Sequence, residues 1–155
     1  MLVPGLLIAG LGGSLPTLFR EEGQTEFFNV FNPYPYADDA AYTSAVTSLW
    51  QNRVEPRLTS GEASQVVLMT HDGPQDSATC NANRTIPNPS TGFHRFGSAG
   101  LAKLVKAKEE SLVVHIHGHC HDGAFIDRVE GSKFQVCNPG SLAQAEYGVI
   151  TLSKV

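Results

Sequence analysis

A mixed α/β fold is what this chain predicts, on three observations. Short apolar runs of strand length recur at 6–11, 65–70 and 112–117. Between them lie stretches whose apolar residues fall three and four apart, the period of a helix packed on a sheet. Two of the runs then deliver histidine at their carboxyl ends, where an open α/β sheet holds its ligands. At 155 residues, 41% apolar and 17% charged, the chain suits one packed unit spanning 1–155. It contains no repeat, low-complexity tract or linker.

Taken in order, 6–11 reads as a fully buried strand, with Gly12-Gly13-Ser14 as a tight turn. The start of the chain has no basic residues, and its apolar run is broken by Gly10, Gly12 and Gly13. It is therefore expected to be a strand rather than a secretion signal, and it is too short to span a bilayer. Residues 27–36 are aromatic and proline-rich, which predicts a packed loop. Asp38 or Asp39 caps a helix running to about Arg53, with Tyr42, Ala45, Val46, Leu49 and Trp50 on one face and Pro56 beyond its end. The run 65–70 is a second buried strand, followed by His71. Residues 72–97 lack apolar periodicity and carry Pro74, Pro87 and Pro89, so an irregular surface loop over the site end is expected. Ser98 caps the next helix, with Leu101, Leu104 and Val105 inside. The third strand is 112–117, and 134–137 and 147–152 are two more.

Net charge and cysteine usage narrow the partners. A net charge of -4 makes no case for nucleic acid or for an anionic membrane. Cys80, Cys120 and Cys137 are odd in number and widely spaced, so no disulfide framework is expected. That points to a reducing compartment, the cytoplasm.

The chemistry concentrates in two places. Four of the six histidines, His115, His117, His119 and His121, occupy alternate positions in Val113-Val114-His115-Ile116-His117-Gly118-His119-Cys120-His121-Asp122. Alternate side chains of an extended backbone share a face, so at least two imidazoles are expected to converge, and imidazole is the commonest metal-ligating side chain. Upstream, His71 sits in Thr70-His71-Asp72-Gly73-Pro74, and downstream comes Asn138-Pro139-Gly140-Ser141.

A Thr-His-x-x-Pro segment, a Gly-His-x-His segment and an Asn-Pro-Gly-Ser loop, in that order, resemble the later signature blocks of the calcineurin-like metallophosphoesterases. Gly97-Ser98 before the helix and Gly10-Leu11-Gly12-Gly13-Ser14 near the start agree with that resemblance. It implies a phosphoester hydrolase with two divalent ions (Mn, Fe, Zn or Co, which suit mixed N and O ligation). His71 and His119 would ligate one ion and His121 the other. In such two-metal sites one ion generates the nucleophile and both stabilise charge developing on oxygen. The implied fold is a metallophosphoesterase-type β-sandwich, two mixed sheets face to face with flanking helices, of which this chain supplies the second half of the four layers.

The chain departs from the family in its earlier blocks. It has no Asp-x-His, no Gly-Asp-x-x-Asp with its bridging carboxylate, and no Asn-His. It is therefore expected to be the carboxyl-terminal part of such a domain, with an incomplete dinuclear site and no hydrolysis of its own. The missing ligands would lie on an N-terminal half or a partner chain. An alternative of another class is a catalytically inactive scaffold of the same fold, using the 27–36 aromatics as its contact surface.

The remaining polar residues take plainer expectations. His115 reads as a buried, hydrogen-bonded strand residue, and His117 as a partner orienting a metal-binding histidine. Cys120 should point away from its flanking histidines. Cys137 reads as core and Cys80 as loop. Arg84, His94 and Arg95 read as solvated loop residues, although guanidinium suits phosphate. Asn138 and Ser141 are expected to shape a turn.

Overall fold

A computed structural model of the protein describes residues 4–16, 18–21, 25–26, 28–29, 34–75, 77–80, 92–95, 97–120, 125–129, 131–140 and 147–152. Along the chain come β1 (Gly5–Leu11), β2 (Leu18–Glu21), β3 (Phe28–Asn29), α1 (Asp39–Leu49), a π-helical turn (Trp50–Val54) and α2 (Glu55–Thr59). Then follow β4 (Ala63–Thr70), β5 (Gly92–Arg95), α3 (Ala99–Ala107), β6 (Leu112–Ile116), β7 (Phe125–Asp127) and β8 (Gln135–Asn138). Five strands form a sheet in the order β1-β4-β6-β8-β7, parallel except for β7, which runs antiparallel to β8. A second, antiparallel sheet has the order β3-β2-β5. The fold is thus mixed α/β, with a mostly parallel main sheet.

Parallel neighbours need a crossover, and α3 lies in the one between β4 and β6. Tyr42, Val46, Trp50 and Val54 from the first helical run, with Leu101 and Val105 from α3, pack on Ala9, Val66, Leu68, Leu112 and Val136 of the sheet. The opposite sheet face carries a smaller cluster of Val67, Val114 and Cys137, with Leu6 and Ile116 against it. Both faces of β4 are therefore covered at Val66, Val67 and Leu68, so its apolar run does not alternate.

Asp38 caps α1, its carboxylate accepting from the Ala41 N–H at 2.8 Å. The helix does not stop near Arg53. The Glu55 N–H bonds the Trp50 carbonyl, five residues back, and this widened turn lets helix continue to Thr59. Pro56 comes just after the π-helical turn, within the continuing helical run, and not beyond the helix end.

Other expectations need correction. β1 is an edge strand rather than a fully buried one: among the described residues it pairs with β4 alone, and Ile8 on its outer face is 62% exposed. Residues 147–152 form no strand, and Tyr147 and Val149 are exposed. They belong to neither sheet, so the apolar run lacks the neighbouring strand that a ladder requires. Within 72–97 and 27–36 the chain forms β5 and β3, whose four and two residues are too short for a periodic signal. The start of 72–97 is no surface loop either, since Asp72, Ser77, Thr79 and Cys80 are buried. Cys80 is accordingly a packed residue. Cys137 is buried as expected. Arg84, Ser141 and His121 lie outside the described residues, as do the side chains of His94 and Arg95.

The two long helices meet closely. Ser98 caps α3 by accepting from the Leu101 N–H at 2.9 Å, and its hydroxyl donates to Asp39 in the first turn of α1. Two residues on, a Cβ at Gly100 would overlap the Thr43 side chain, so the crossing requires glycine. Gly100→Ala should therefore destabilise the protein by about 1–3 kcal/mol through overpacking. Helix propensity alone would predict a gain of about 1 kcal/mol. Urea denaturation of both proteins distinguishes the two signs.

Candidate functional site

Because β4 and β6 are parallel and adjacent, their carboxyl ends lie side by side, with Met69 opposite Ile116. Backbone bonding carries this pairing past the strands. The Gly118 N–H donates to the His71 carbonyl at 3.0 Å, and the His117 N–H to the Cys137 carbonyl at 2.9 Å. The chain then turns sharply at His119, which has φ +66, and the Cys120 N–H reaches back to the Gly118 carbonyl at 2.8 Å. This is a γ-turn with positive φ, an uncommon and strained conformation outside glycine. Strain of this kind persists where surrounding structure over-determines it, and it clusters at functional sites.

Asn138 at the end of β8 holds the turn. Its side-chain amide donates to the Cys120 carbonyl at 2.6 Å and to the Thr79 carbonyl at 3.3 Å. Its oxygen accepts from the Gly140 N–H at 3.0 Å. The expected turn-shaping role is therefore met, and it reaches beyond its own loop.

The outcome is an imidazole pair. His71 Nε2 and His119 Nδ1 lie 2.9 Å apart, with the rings edge-to-face at 76° and their centroids 4.9 Å apart. The two residues are 48 apart in sequence. His71 is exposed and His119 half-buried, so the pair is open to solvent.

A residue the sequence reading passed over lies on the other side of His119. Asp72 Oδ1 is 3.8 Å from His119 Nε2. Asp72 is buried, its Oδ2 accepts from the Leu15 N–H at 2.9 Å, and its Oδ1 accepts no hydrogen bond. Burial pushes its carboxyl up to about 7; the Leu15 N–H opposes this and the Asp39 carboxylate adds to it. Its only sequence signal was an acid directly after a strand-end histidine, and that pattern says nothing about burial.

Of the alternate histidines, His115 and His117 share a face as expected, while His119 turns away toward His71. β6 ends at Ile116, so extended alternation stops before the turn. His115 and His117 stack at 5.7 Å and are buried. His115 Nε2 is 2.7 Å from Thr70 Oγ1, whose own hydroxyl donates to the Asp72 carbonyl, so the imidazole is the donor. That leaves its Nδ1 a buried lone pair without a partner. His117 Nε2 is 2.7 Å from Thr79 Oγ1, and its Nδ1 is 2.9 Å from the Gly118 carbonyl. Both its nitrogens are thus committed, and it does not orient a metal-binding histidine as expected. Burial pushes His117 down to about 4, against the opposing pull of the Gly118 carbonyl. Cys80 Sγ lies 3.6 Å from His117 Nε2, and burial raises its thiol above the ordinary range.

Among the described residues no three His, Cys, Asp or Glu side chains are arranged to hold a metal ion. Asp72 faces the opposite nitrogen of His119 from His71, so among the described residues the two imidazoles are the donors that converge. The pair's chemistry suits a divalent ion. Imidazole nitrogens bound to a tetrahedral ion at about 2.0–2.1 Å stand about 3.3 Å apart, a little wider than the 2.9 Å found here. A small ring movement would admit one. His121, the expected ligand of a second ion, lies outside the described residues. No helix among the described residues is long and apolar enough to cross a membrane. No family model, curated protein or solved structure matches the chain.

Two outcomes follow from this geometry. Asn138→Ala strands the Cys120 and Thr79 carbonyls, and should cost about 2–3 kcal/mol of stability while broadening the His119 ring signals in NMR spectra. His115 is held well below the ordinary imidazole range by burial, with the stacked His117 adding to it. Below about pH 6.5 the unfolded chain protonates this ring and the folded chain does not, so stability should fall on acidification. Denaturation at pH 7.5 and 5.5 should show the wild type losing more than His115→Leu, approaching about 1.4 kcal/mol per pH unit.

Proposed function

We propose that the protein is part of a calcineurin-like metallophosphoesterase, a hydrolase of phosphoester bonds. The observation that carries this reading is the 2.9 Å approach of His71 Nε2 to His119 Nδ1 at the carboxyl ends of adjacent parallel strands. These are the histidines of the Thr-His-x-x-Pro and Gly-His-x-His segments, and Asn138 of the Asn-Pro-Gly-Ser segment braces the turn between them. In this reading His71 and His119 hold one divalent ion, His121 belongs to a second, and the fold is one half of a metallophosphoesterase β-sandwich working in the cytoplasm. When bound, two such ions supply a nucleophile and neutralise charge on the phosphoryl oxygens.

The described residues contribute neutral donors and a frame. A bridging carboxylate, needed to offset repulsion between two dications, is expected from an N-terminal half or a partner chain. Alone, the chain should bind one Zn2+ or Mn2+ weakly and hydrolyse little.

Calorimetric titration of the purified chain with Zn2+ and Mn2+ tests this. One ion should bind, and both His71→Ala and His119→Ala should abolish binding. In excess Mn2+, p-nitrophenyl phosphate and bis-p-nitrophenyl phosphate should be turned over no faster than by His119→Ala. Absence of metal binding by the wild type would overturn the reading and favour the scaffold alternative. Turnover that disappears in His119→Ala would show that the site is complete without a further segment.

A further inference from the structure

We propose that Asp72 is a positioning residue for the imidazole pair: its carboxylate holds His119 in the Nε2–H form, so that Nδ1 presents its lone pair to the cation that His71 also binds. The inference rests on the metal-binding reading above and adds a residue to it.

A neutral imidazole carries one proton on two nitrogens, so one nitrogen donates and the other accepts. In His119 the two face different partners. Nδ1 is 2.9 Å from His71 Nε2, and Nε2 is 3.8 Å from Asp72 Oδ1. An ionised carboxylate accepts only, so a proton on Nε2 satisfies Asp72 and puts the lone pair on Nδ1, the nitrogen that faces His71. Metal-ligating histidines generally donate their second ring N–H to such a group, and loss of that partner weakens metal binding.

Two features show that Asp72 is aimed rather than incidental. Its side chain is 1% exposed, and Oδ1 has no hydrogen-bond donor although Oδ2 is satisfied by Leu15. A buried acceptor left in this state costs about 1–3 kcal/mol. Among the described residues it approaches His119 Nε2, at 3.8 Å. The exocyclic bonds of the two ring nitrogens point roughly opposite ways, so a His119 ring movement away from His71 would shorten the 3.8 Å separation from Asp72.

Carboxylate position is set from outside the pair. Leu15 follows the turn after β1, the Tyr42 hydroxyl donates to the Asp72 carbonyl at 3.4 Å, and Thr70 donates to the same oxygen. Asp72→Asn can keep the Leu15 bond through its amide oxygen. Its NH2 then faces His119 and favours a lone pair on Nε2 with the proton on Nδ1, the wrong arrangement for the cation.

The test uses 15N-resolved imidazole spectra of the metal-free protein at about pH 8, where ordinary imidazoles are neutral, together with calorimetric Zn2+ titration. Wild-type His119 should carry its proton on Nε2. Asp72→Asn should move it to Nδ1 and raise the Kd for Zn2+ about 10–100-fold, with an unchanged backbone amide spectrum. A proton on Nδ1 in the wild type would overturn the role of Asp72, and that result needs no folded variant. Equal Zn2+ affinity in Asp72→Asn would overturn it too. Failure of the wild type to bind Zn2+ would instead overturn the metal site itself.

Discussion

The hydrogen bond from the Gly118 N–H to the His71 carbonyl extends the parallel pairing of β4 and β6 beyond the last strand residues. Both histidines depend on it. With it, the γ-turn at His119 starts from a defined point and swings the ring back over His71. The strained φ of His119 is then maintained by the Gly118 bond on one side and by the Asn138 amide on the other.

Beneath the pair lies a buried polar layer. His115 donates to Thr70, Thr70 donates to the Asp72 carbonyl, and Tyr42 reaches the same oxygen from α1. Connected polar groups in a low-dielectric interior stiffen one another and specify one arrangement. Two atoms of this layer have no hydrogen bond, His115 Nδ1 and Asp72 Oδ1. They differ in what surrounds them: the first is sealed in the core, where its effect is on stability and pH, while the second approaches an imidazole at the solvent edge.

The helix layer bears on the site through the same segment. The Ser98 N–H donates to the Gly73 carbonyl, and the Gln75 N–H to the Ser98 carbonyl. Ser98 thus holds the chain just after His71 and Asp72 while it caps α3 and meets Asp39 of α1. The close crossing at Gly100 and the placement of the strand-end residues are mechanically linked.

Much of the framework could be read before any coordinates. The runs 65–70 and 112–117, the caps Asp38 and Ser98, and the apolar face of Tyr42, Val46 and Trp50 are local patterns, because strand and helix periods and capping geometry act within a few residues. So was the placing of His71 and His119 at strand ends. The run 147–152 looked like a strand by the same rules, yet it joins neither sheet, and pairing with a neighbouring strand is a property of the whole chain. The strand at 134–137 was read and is β8, whereas β2, β3, β5 and β7, two to four residues long, were missed because so few residues show no clear alternation. Asp72 is the sharpest case: its type was in plain view, but its burial depends on Leu15 and its approach to His119 on residues 47 positions later in the chain. Local chemistry is written in sequence; desolvation and convergence exist only once distant segments have packed.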